Sequence, residues 1–366
     1  MKVLFCGSLL PKDYEGKTPF LSAAGNQFQN NLLAAMKKKH KVRSLTYINY
    51  PLDMDITQVK NDCEMTGIIP FLMQDSKAIA VDFRKKMIAC AEWADVAIVY
   101  NMSYAWFGLG DIMRKKGKKA IVVMADFTSW REAKNLPRKI YAYLVAREFT
   151  RYQKAVMLSP GMANYLKPNQ DRVLINGGID WSKFSSIKKP TIKGKTVIVY
   201  TGGLSTITGT DMMTEAFNTI EDPNVELYIT GQGGTQEAEV KELCKVDQRI
   251  HYLGFVDRLT YYDLLEKANI FISPRNMNCE QNKVNFPSKV LEYLATGRII
   301  VSTRFGGWEK YREHILFADS TTESIKTEME QAILLARTAP TSYYEKNRVI
   351  AEKMDWNNNV DNFLGE

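Results

Sequence analysis

The chain is poor in the residues that anchor metals and disulfides. Its 366 residues include three histidines, His40, His251 and His314, well apart in sequence and read as structural. The five cysteines (Cys6, Cys63, Cys90, Cys244 and Cys279) form no CxxC pair, and most have apolar neighbours. That excludes a disulfide framework and points to reduced thiols in a cytosolic protein. Long hydrophobic runs are also missing: nothing approaches the roughly 20 apolar residues that a membrane helix needs. The opening MKVLFCGSLLP is too short and too soon broken by Pro11 for a secretory signal, and reads as a first strand.

What is present is a hydrophobic content of 45% and a charged content of 25%, the balance of a soluble globular protein. The length exceeds one ordinary core and predicts two domains. The net charge of +8 fits either an anionic partner (nucleic acid, a membrane surface or a phosphorylated substrate) or a solvated basic surface with no partner. The densest run, Lys37-Lys38-Lys39-His40-Lys41, falls where a helix C-terminus is predicted, and cations are stabilising there in any case.

The most informative stretch is NFPSKVLEYLATGRIIVST, Asn285 to Thr303. Pro287 suits a first helical position, Val290, Leu291 and Leu294 form an apolar stripe, and Gly297 ends the helix. Ile299, Ile300 and Val301 then read as a strand buried on both faces. N–H groups around Ser288, Lys289 and Val290 are expected to lack intrahelical acceptors at the positive end of the helix dipole, where a diphosphate docks without special side chains. Glu292, one turn beyond Ser288, lies on the same side and can accept from sugar hydroxyls.

Elsewhere, strands are predicted over residues 3–6, 42–47, 95–99 and 120–124, with helices between them. Phe28, Leu32 and Met36 mark the first helix. Gly25, read as lying before that helix, permits either close approach of a ligand or an ordinary strand-to-helix turn. Residues 50–74 show no clear period. Asp126 follows a strand end, where open α/β sheets place their chemistry. It either takes the proton of an acceptor hydroxyl or orients that acceptor, or merely caps the next turn. The stretch KNLPRKIYAYLVAREFTRYQKAVMLSP predicts a helix with Ile140, Leu144 and Phe149 on a core face, running into a strand. Arg138, Lys139, Arg147, Arg151 and Lys154 interleave with Tyr141, Tyr143 and Tyr152. It is either a core helix with a solvated face or one that rests on an anionic membrane surface.

VLINGGIDWSKF, Val173 to Phe184, predicts a tight turn at Asn176-Gly177-Gly178, with Asp180 capping the next, and a polar linker follows. Strand–glycine–helix units then recur, with Gly202-Gly203, Gly231 and Gly254 after successive strands and a capping box at Thr260 and Asp263.

Together, these units, the Val173–Asp180 segment and Asn285–Thr303 resemble GT-B glycosyltransferases of the family four type over essentially the whole chain. Phe286–Tyr293 resembles the bacterial subgroup with F-P-S-K-x-x-E-Y. The resemblance implies an α/β fold of two Rossmann-like domains facing across a cleft. These are an acceptor domain at 1–182, a nucleotide-sugar domain at 183–350 and a terminal helix at 351–366 crossing back to the first. It implies a donor site of Gly25, Gly202, Gly203, Gly231, Ser288, Lys289, Val290 and Glu292, with Glu292 on the ribose. Gly254, Phe255 and Val256 would meet the base through their backbone, which leaves uracil and guanine undistinguished. Asp126 and Lys289 are the expected catalytic residues.

The chain departs from that pattern at three places. The usual diphosphate-binding arginine is Gly203, the usual lysine is Thr208, and the first of two glutamates falls at Val284. Lys289, Arg275 and Arg304 are the candidate substitutes. The implied reaction moves a sugar from a UDP- or GDP-linked donor to a hydroxyl of a glycan, glycolipid or glycoprotein acceptor, with retention, without metal or cofactor and without nucleic acid. The usual setting is surface polysaccharide or glycan assembly, expected here in the cytoplasm; peripheral contact with the inner face of an anionic membrane is the second of the two readings of the aromatic and basic helix above. Asp53-Met54-Asp55 has the DxD form used for metal-diphosphate in the other large glycosyltransferase fold, but nothing nearby supports it, and it is set aside. The rival reading is a GT-B-shaped subunit that has lost catalysis and serves an active transferase. The three departures are what it predicts; the intact Glu292 and helix start are against it.

Overall fold

The computed structural model describes residues 1–14, 21–48, 52, 54–72, 77–191 and 194–364. Two compact units emerge. One comprises Met1–Gly178, Val284–Phe286 and Trp356–Glu366, the other Ile179–Lys283 and Pro287–Asp355.

The first unit runs β1 (Lys2–Gly7), α1 (Ala23–Lys39), β2 (Lys41–Ile48), α2 (Ile56–Met65), β3 (Ile68–Leu72), α3 (Lys77–Trp93), β4 (Val96–Tyr100), α4 (Leu109–Lys115), β5 (Lys119–Met124), α5 (Leu136–Phe149), β6 (Lys154–Met157) and β7 (Asp171–Leu174). The second contains β8 (Thr196–Thr201), α6 (Thr210–Asn218), β9 (Val225–Thr230), α7 (Glu237–Val246), β10 (Ile250–Tyr252), α8 (Arg258–Lys267), β11 (Ile270–Ser273), most of α9 (Glu280–Val284), α10 (Lys289–Thr296), β12 (Ile299–Thr303), β13 (Leu316–Ala318), α11 (Thr322–Thr338) and α12 (Tyr344–Lys353). The closing helix α13 (Trp356–Leu364) returns to the first unit.

Each unit holds one parallel sheet. The orders are β3-β2-β1-β4-β5-β6-β7 and β10-β9-β8-β11-β12-β13. Both are doubly wound, because the order reverses beside β1 and beside β8, and helices cover both faces. Burial explains the strand sequences: VAIVY of β4, TVIVYT of β8 and IIVST of β12 are buried throughout, as parallel strands sandwiched by helices must be. Turnings of the chain at these reversals open crevices at the carboxyl ends of the strands, where ligands bind in such sheets.

Local details correct several expectations. The unreadable stretch holds α2 and β3; Asp55 caps α2 by accepting from the Thr57 N–H, and Asp53 lies outside the described residues. Helix α8 is capped not by Thr260 but by Asp257, which accepts from the Thr260 N–H at 2.9 Å. Asp180 does not cap the 3-10 turn Trp181–Lys183. It accepts from Ser182 Oγ, while Asp355 Oδ2 accepts from the Trp181 N–H at 2.9 Å. Lys154 is buried on β6, and burial lowers its pKa. In α13, Trp356 meets Phe28 of α1 edge to face, and Lys38 and Lys39 of the basic run bind Asn357 and Asp361. Part of the basic run therefore anchors this helix. No described helix is long and apolar enough to cross a membrane.

Candidate active site

In the second unit, three glycine turns gather at the ends of β8, β9 and β10. The Gly202 N–H donates to the Thr230 carbonyl at 3.0 Å, and the Gly231 N–H to the Gly254 carbonyl at 2.9 Å. Gly231 has φ +141°, and a Cβ there would collide with the Gly202 carbonyl, so only glycine lets these turns stack backbone on backbone. Gly203 differs: open space surrounds a Cβ built on it, and among the described residues nothing accepts from its N–H. A half-open loop with an unused donor at the crevice beside β8 is suited to an anion. Thr208, where a lysine was expected, donates to the Gly203 carbonyl at 2.7 Å and so braces this loop. Phe255, after Gly254, is exposed, and Val256 is half-buried.

The helix-start expectation needs one correction. Val290 is not an open donor, since its N–H bonds the Pro287 carbonyl at 3.1 Å, and the Leu291 N–H bonds Ser288 at 3.2 Å. This tightened first turn leaves the N–H groups of Ser288 and Lys289 as the ones with no backbone acceptor among the described residues. Val290 itself is buried with Leu291 and Leu294, and Gly297 closes α10 at φ +71°.

Beside that turn is an ion pair that motif reading did not foresee. Glu292 is mostly buried, receives a hydrogen bond from the Tyr261 hydroxyl, and lies 3.2 and 3.3 Å from Lys289 Nζ. Lys289 also sits 4.7 Å above the Tyr261 ring. Burial first, and the charge of Glu292 second, raise the Tyr261 pKa well above its ordinary value. A carboxylate has about four acceptor positions, so Glu292 retains capacity for further hydroxyls after these two partners.

The other cations separate. Arg304 is exposed and pairs with Asp319 at 3.1 Å. Arg275 is half-buried on the loop after β11, the strand beside β8, with Nη1 3.5 Å from Asn282 Oδ1. Its charge reaches the buried Tyr200 hydroxyl, whose pKa burial raises and whose proton goes to the Gly203 carbonyl at 2.6 Å. Arg275 thus stands near the loop between β8 and α6, whose Ile207 carbonyl accepts from the neighbouring Asn276 N–H at 3.1 Å, and of the candidate cations it is the one the fold brings there besides Lys289.

In the first unit, Asp126 is exposed two residues past the end of β5. Three consecutive N–H groups of its loop are held by two asparagines. Those of Ala125 and Asp126 donate to Asn101 Oδ1 at 2.9 and 3.1 Å, and that of Phe127 donates to Asn285 Oδ1 at 3.2 Å. Asn101 has φ +49°, a strained conformation for which asparagine is one of the tolerant residues. Asn285 belongs to the motif stretch, two residues before Pro287, and its side chain is used within the first unit. Val284, where the family pattern has a glutamate, is buried in the first unit's core. Gly25 lies inside the first turn of α1, not ahead of it, and its N–H is held by the cap Ser22 Oγ at 3.1 Å. Among the described residues no three His, Cys, Asp or Glu side chains come together in a metal-binding group.

Over residues 195–334, which carry the second sheet from β8 to α11, the chain is similar to the family described as glycosyl transferases group 1. No protein of curated function matches it. Among solved structures it is similar to Anabaena HepE in complex with UDP (14% identity, all of both chains, TM-score 0.71). It is likewise similar to a glycosyltransferase from Rickettsia africae (12% identity, all of this chain and 97% of that one, TM-score 0.71). Sucrose-phosphate synthase from Thermosynechococcus elongatus matches at 13% identity, all of this chain and 98% of that one, with TM-score 0.67. The two doubly wound domains are therefore those of the GT-B fold.

Proposed function

We propose that the chain is a glycosyltransferase that moves a sugar from a UDP- or GDP-linked donor to an acceptor hydroxyl, with the donor on the second unit and the acceptor on the first. The observation that carries this reading is the pairing, within one sheet, of the open Gly203 turn with the first turn of α10 and its Glu292–Lys289–Tyr261 cluster. The similarity to glycosyl transferases group 1 over the same stretch supports it.

In this reading the N–H groups of Gly203, Ser288 and Lys289 hold the diphosphate, and Glu292 accepts from the ribose hydroxyls. The bond between the anomeric carbon and the phosphate oxygen breaks, and the electron pair leaves with the diphosphate. Oriented N–H groups and a cation stabilise that charge as it develops. Arg275, near the glycine loop, is better placed for this than Lys289, whose ammonium is already committed to Glu292. A new bond forms from the acceptor oxygen to the anomeric carbon with retention, and Asp126 orients the hydroxyl or takes its proton. No metal is required, because backbone donors and arginine carry the charge. Surface polysaccharide or glycan assembly at the cytoplasmic face of a membrane is the setting we assign.

The second reading, a non-catalytic partner of an active transferase, is favoured by one observation: Val284 is packed into a core where a sugar-contacting glutamate would stand. Thermal denaturation with a panel of nucleotide-sugars, followed by transfer assays in EDTA, separates the cases. A ligand that binds only the folded state raises its melting temperature. We expect a UDP- or GDP-sugar to do so and to be turned over without metal. Stabilisation without turnover on any acceptor supports the partner reading, and no stabilisation by any nucleotide-sugar overturns the transferase reading.

A further inference from the structure

Helix α5 is apolar on the side where a surface helix is usually polar. Leu136, Ile140, Tyr143 and Leu144 are spaced i, i+4, i+7 and i+8, so they share one face. Their exposures are 69, 52, 56 and 40%. Ala142, Val145, Ala146 and Phe149 occupy the opposite face in the first unit's core. The expectation that Ile140 and Leu144 face the core is thus wrong, whereas Phe149 does. Aromatic rings border the stripe: the exposed Tyr141 flanks it, and Trp130, half-buried against the core, lies 6.2 Å from Tyr143.

The fully exposed charge beside the stripe has one sign, the nearby Glu132 being half-buried. Lys134, Arg138, Lys139 and Arg147 are exposed, and among the described residues none of the four is in an ion pair. The helix's only carboxylate, Glu148, is buried and held by Arg151 at 3.0 Å and by the Gly108 N–H at 2.9 Å. We infer that this face of α5 docks the protein on an anionic lipid surface. Leucine and isoleucine would enter the acyl boundary, tyrosine and tryptophan would sit at the headgroup level, and the cations would meet lipid phosphates. A protein partner would satisfy the apolar stripe equally well, but the unopposed ring of cations and interfacial aromatics favours a lipid headgroup layer. The inference stands apart from the sugar-transfer reading. Where both hold, the acceptor is lipid-linked.

The test is flotation of the full chain with phosphatidylcholine vesicles, with and without phosphatidylglycerol, at low and high salt. We expect binding only to the phosphatidylglycerol vesicles, weakened by salt. Ile140→Ser with Leu144→Ser should cut binding by about tenfold or more, since both side chains lose apolar burial. Lys139→Glu and Arg147→Glu should each cut it by about fivefold or more. Because all four side chains point to solvent, melting temperature and nucleotide-sugar affinity should not move. Failure to bind any vesicle, or equal binding to neutral ones, overturns the inference. So does a dimer in light scattering that the double serine variant dissociates, because the face would then belong to a second copy.

Discussion

Removing the Glu292 carboxylate should damage nucleotide binding and stability together, and by separable amounts. In the unliganded protein this side chain accepts from the buried Tyr261 hydroxyl and pairs with Lys289. Glu292→Ala removes the carboxylate acceptor of the buried Tyr261 hydroxyl, a loss of about 1–3 kcal/mol. For a unit of this size each kcal/mol corresponds to about 2–4 °C, so the melting temperature should fall by about 2–12 °C. The ribose contact is a charge-assisted hydrogen bond of about 1.5–3 kcal/mol, so affinity for UDP or GDP should fall about ten- to a hundredfold. Glu292→Gln restores an acceptor for Tyr261 but no charge, and should recover much of the melting temperature and little of the affinity. Since the ribose does not react, the kinetic loss should fall on KM more than on kcat. Calorimetry and thermal denaturation of the three proteins measure both effects. Equal nucleotide affinity in wild type and Glu292→Ala refutes the assignment of the ribose site, whatever the melting temperature does.

Arg275→Ala should lower kcat by about tenfold or more while Arg304→Ala leaves it unchanged, because only Arg275 is near the glycine loop; equal effects in steady-state kinetics would remove the distinction. Asp126→Asn should slow transfer by ~10²–10⁴ with nucleotide affinity unaltered, and a variant that only melts earlier would make Asp126 a turn residue. Asn285→Ala, which deprives the Phe127 N–H of its acceptor, should mimic a weaker Asp126→Asn in kcat with nucleotide affinity retained; unchanged kinetics would show that the loop is held without it. Arg337 and Arg249 hold the Asp222 and Asp247 carboxyls below their ordinary range. Their stabilisation is fully present above about pH 4 and is lost as pH falls through the depressed values, so the fall in denaturation midpoint between pH 5 and pH 3 should shrink in Arg337→Ala.

The sheets were legible because parallel strands buried on both faces read as apolar runs, as at Ile299–Val301 and Val96–Val99. Helix α2 was not, because it buries only Val59 and Cys63, too few for a visible period, and β3 contains Pro70. Helix α5 was recognised as a helix, but its face was misjudged, since apolar residues surround it on all sides and periodicity cannot say which side meets the core. Ser288, Lys289 and Glu292 were visible through local helix chemistry. Tyr261 and the Asn101–Asn285 pair were not, and Arg275 could not be told from Arg304, because these groups converge only when segments distant in sequence become neighbours. Asp257 was passed over as a cap because Thr260 and Asp263 mimicked a capping box three residues later.

The most direct test of the account is a crystal structure of the full chain soaked with UDP or GDP. The account predicts the diphosphate against the N–H groups of Gly203, Ser288 and Lys289, and a ribose hydroxyl within hydrogen-bonding distance of Glu292. A nucleotide ordered anywhere else on the protein, with this crevice beside β8 left vacant, would contradict it.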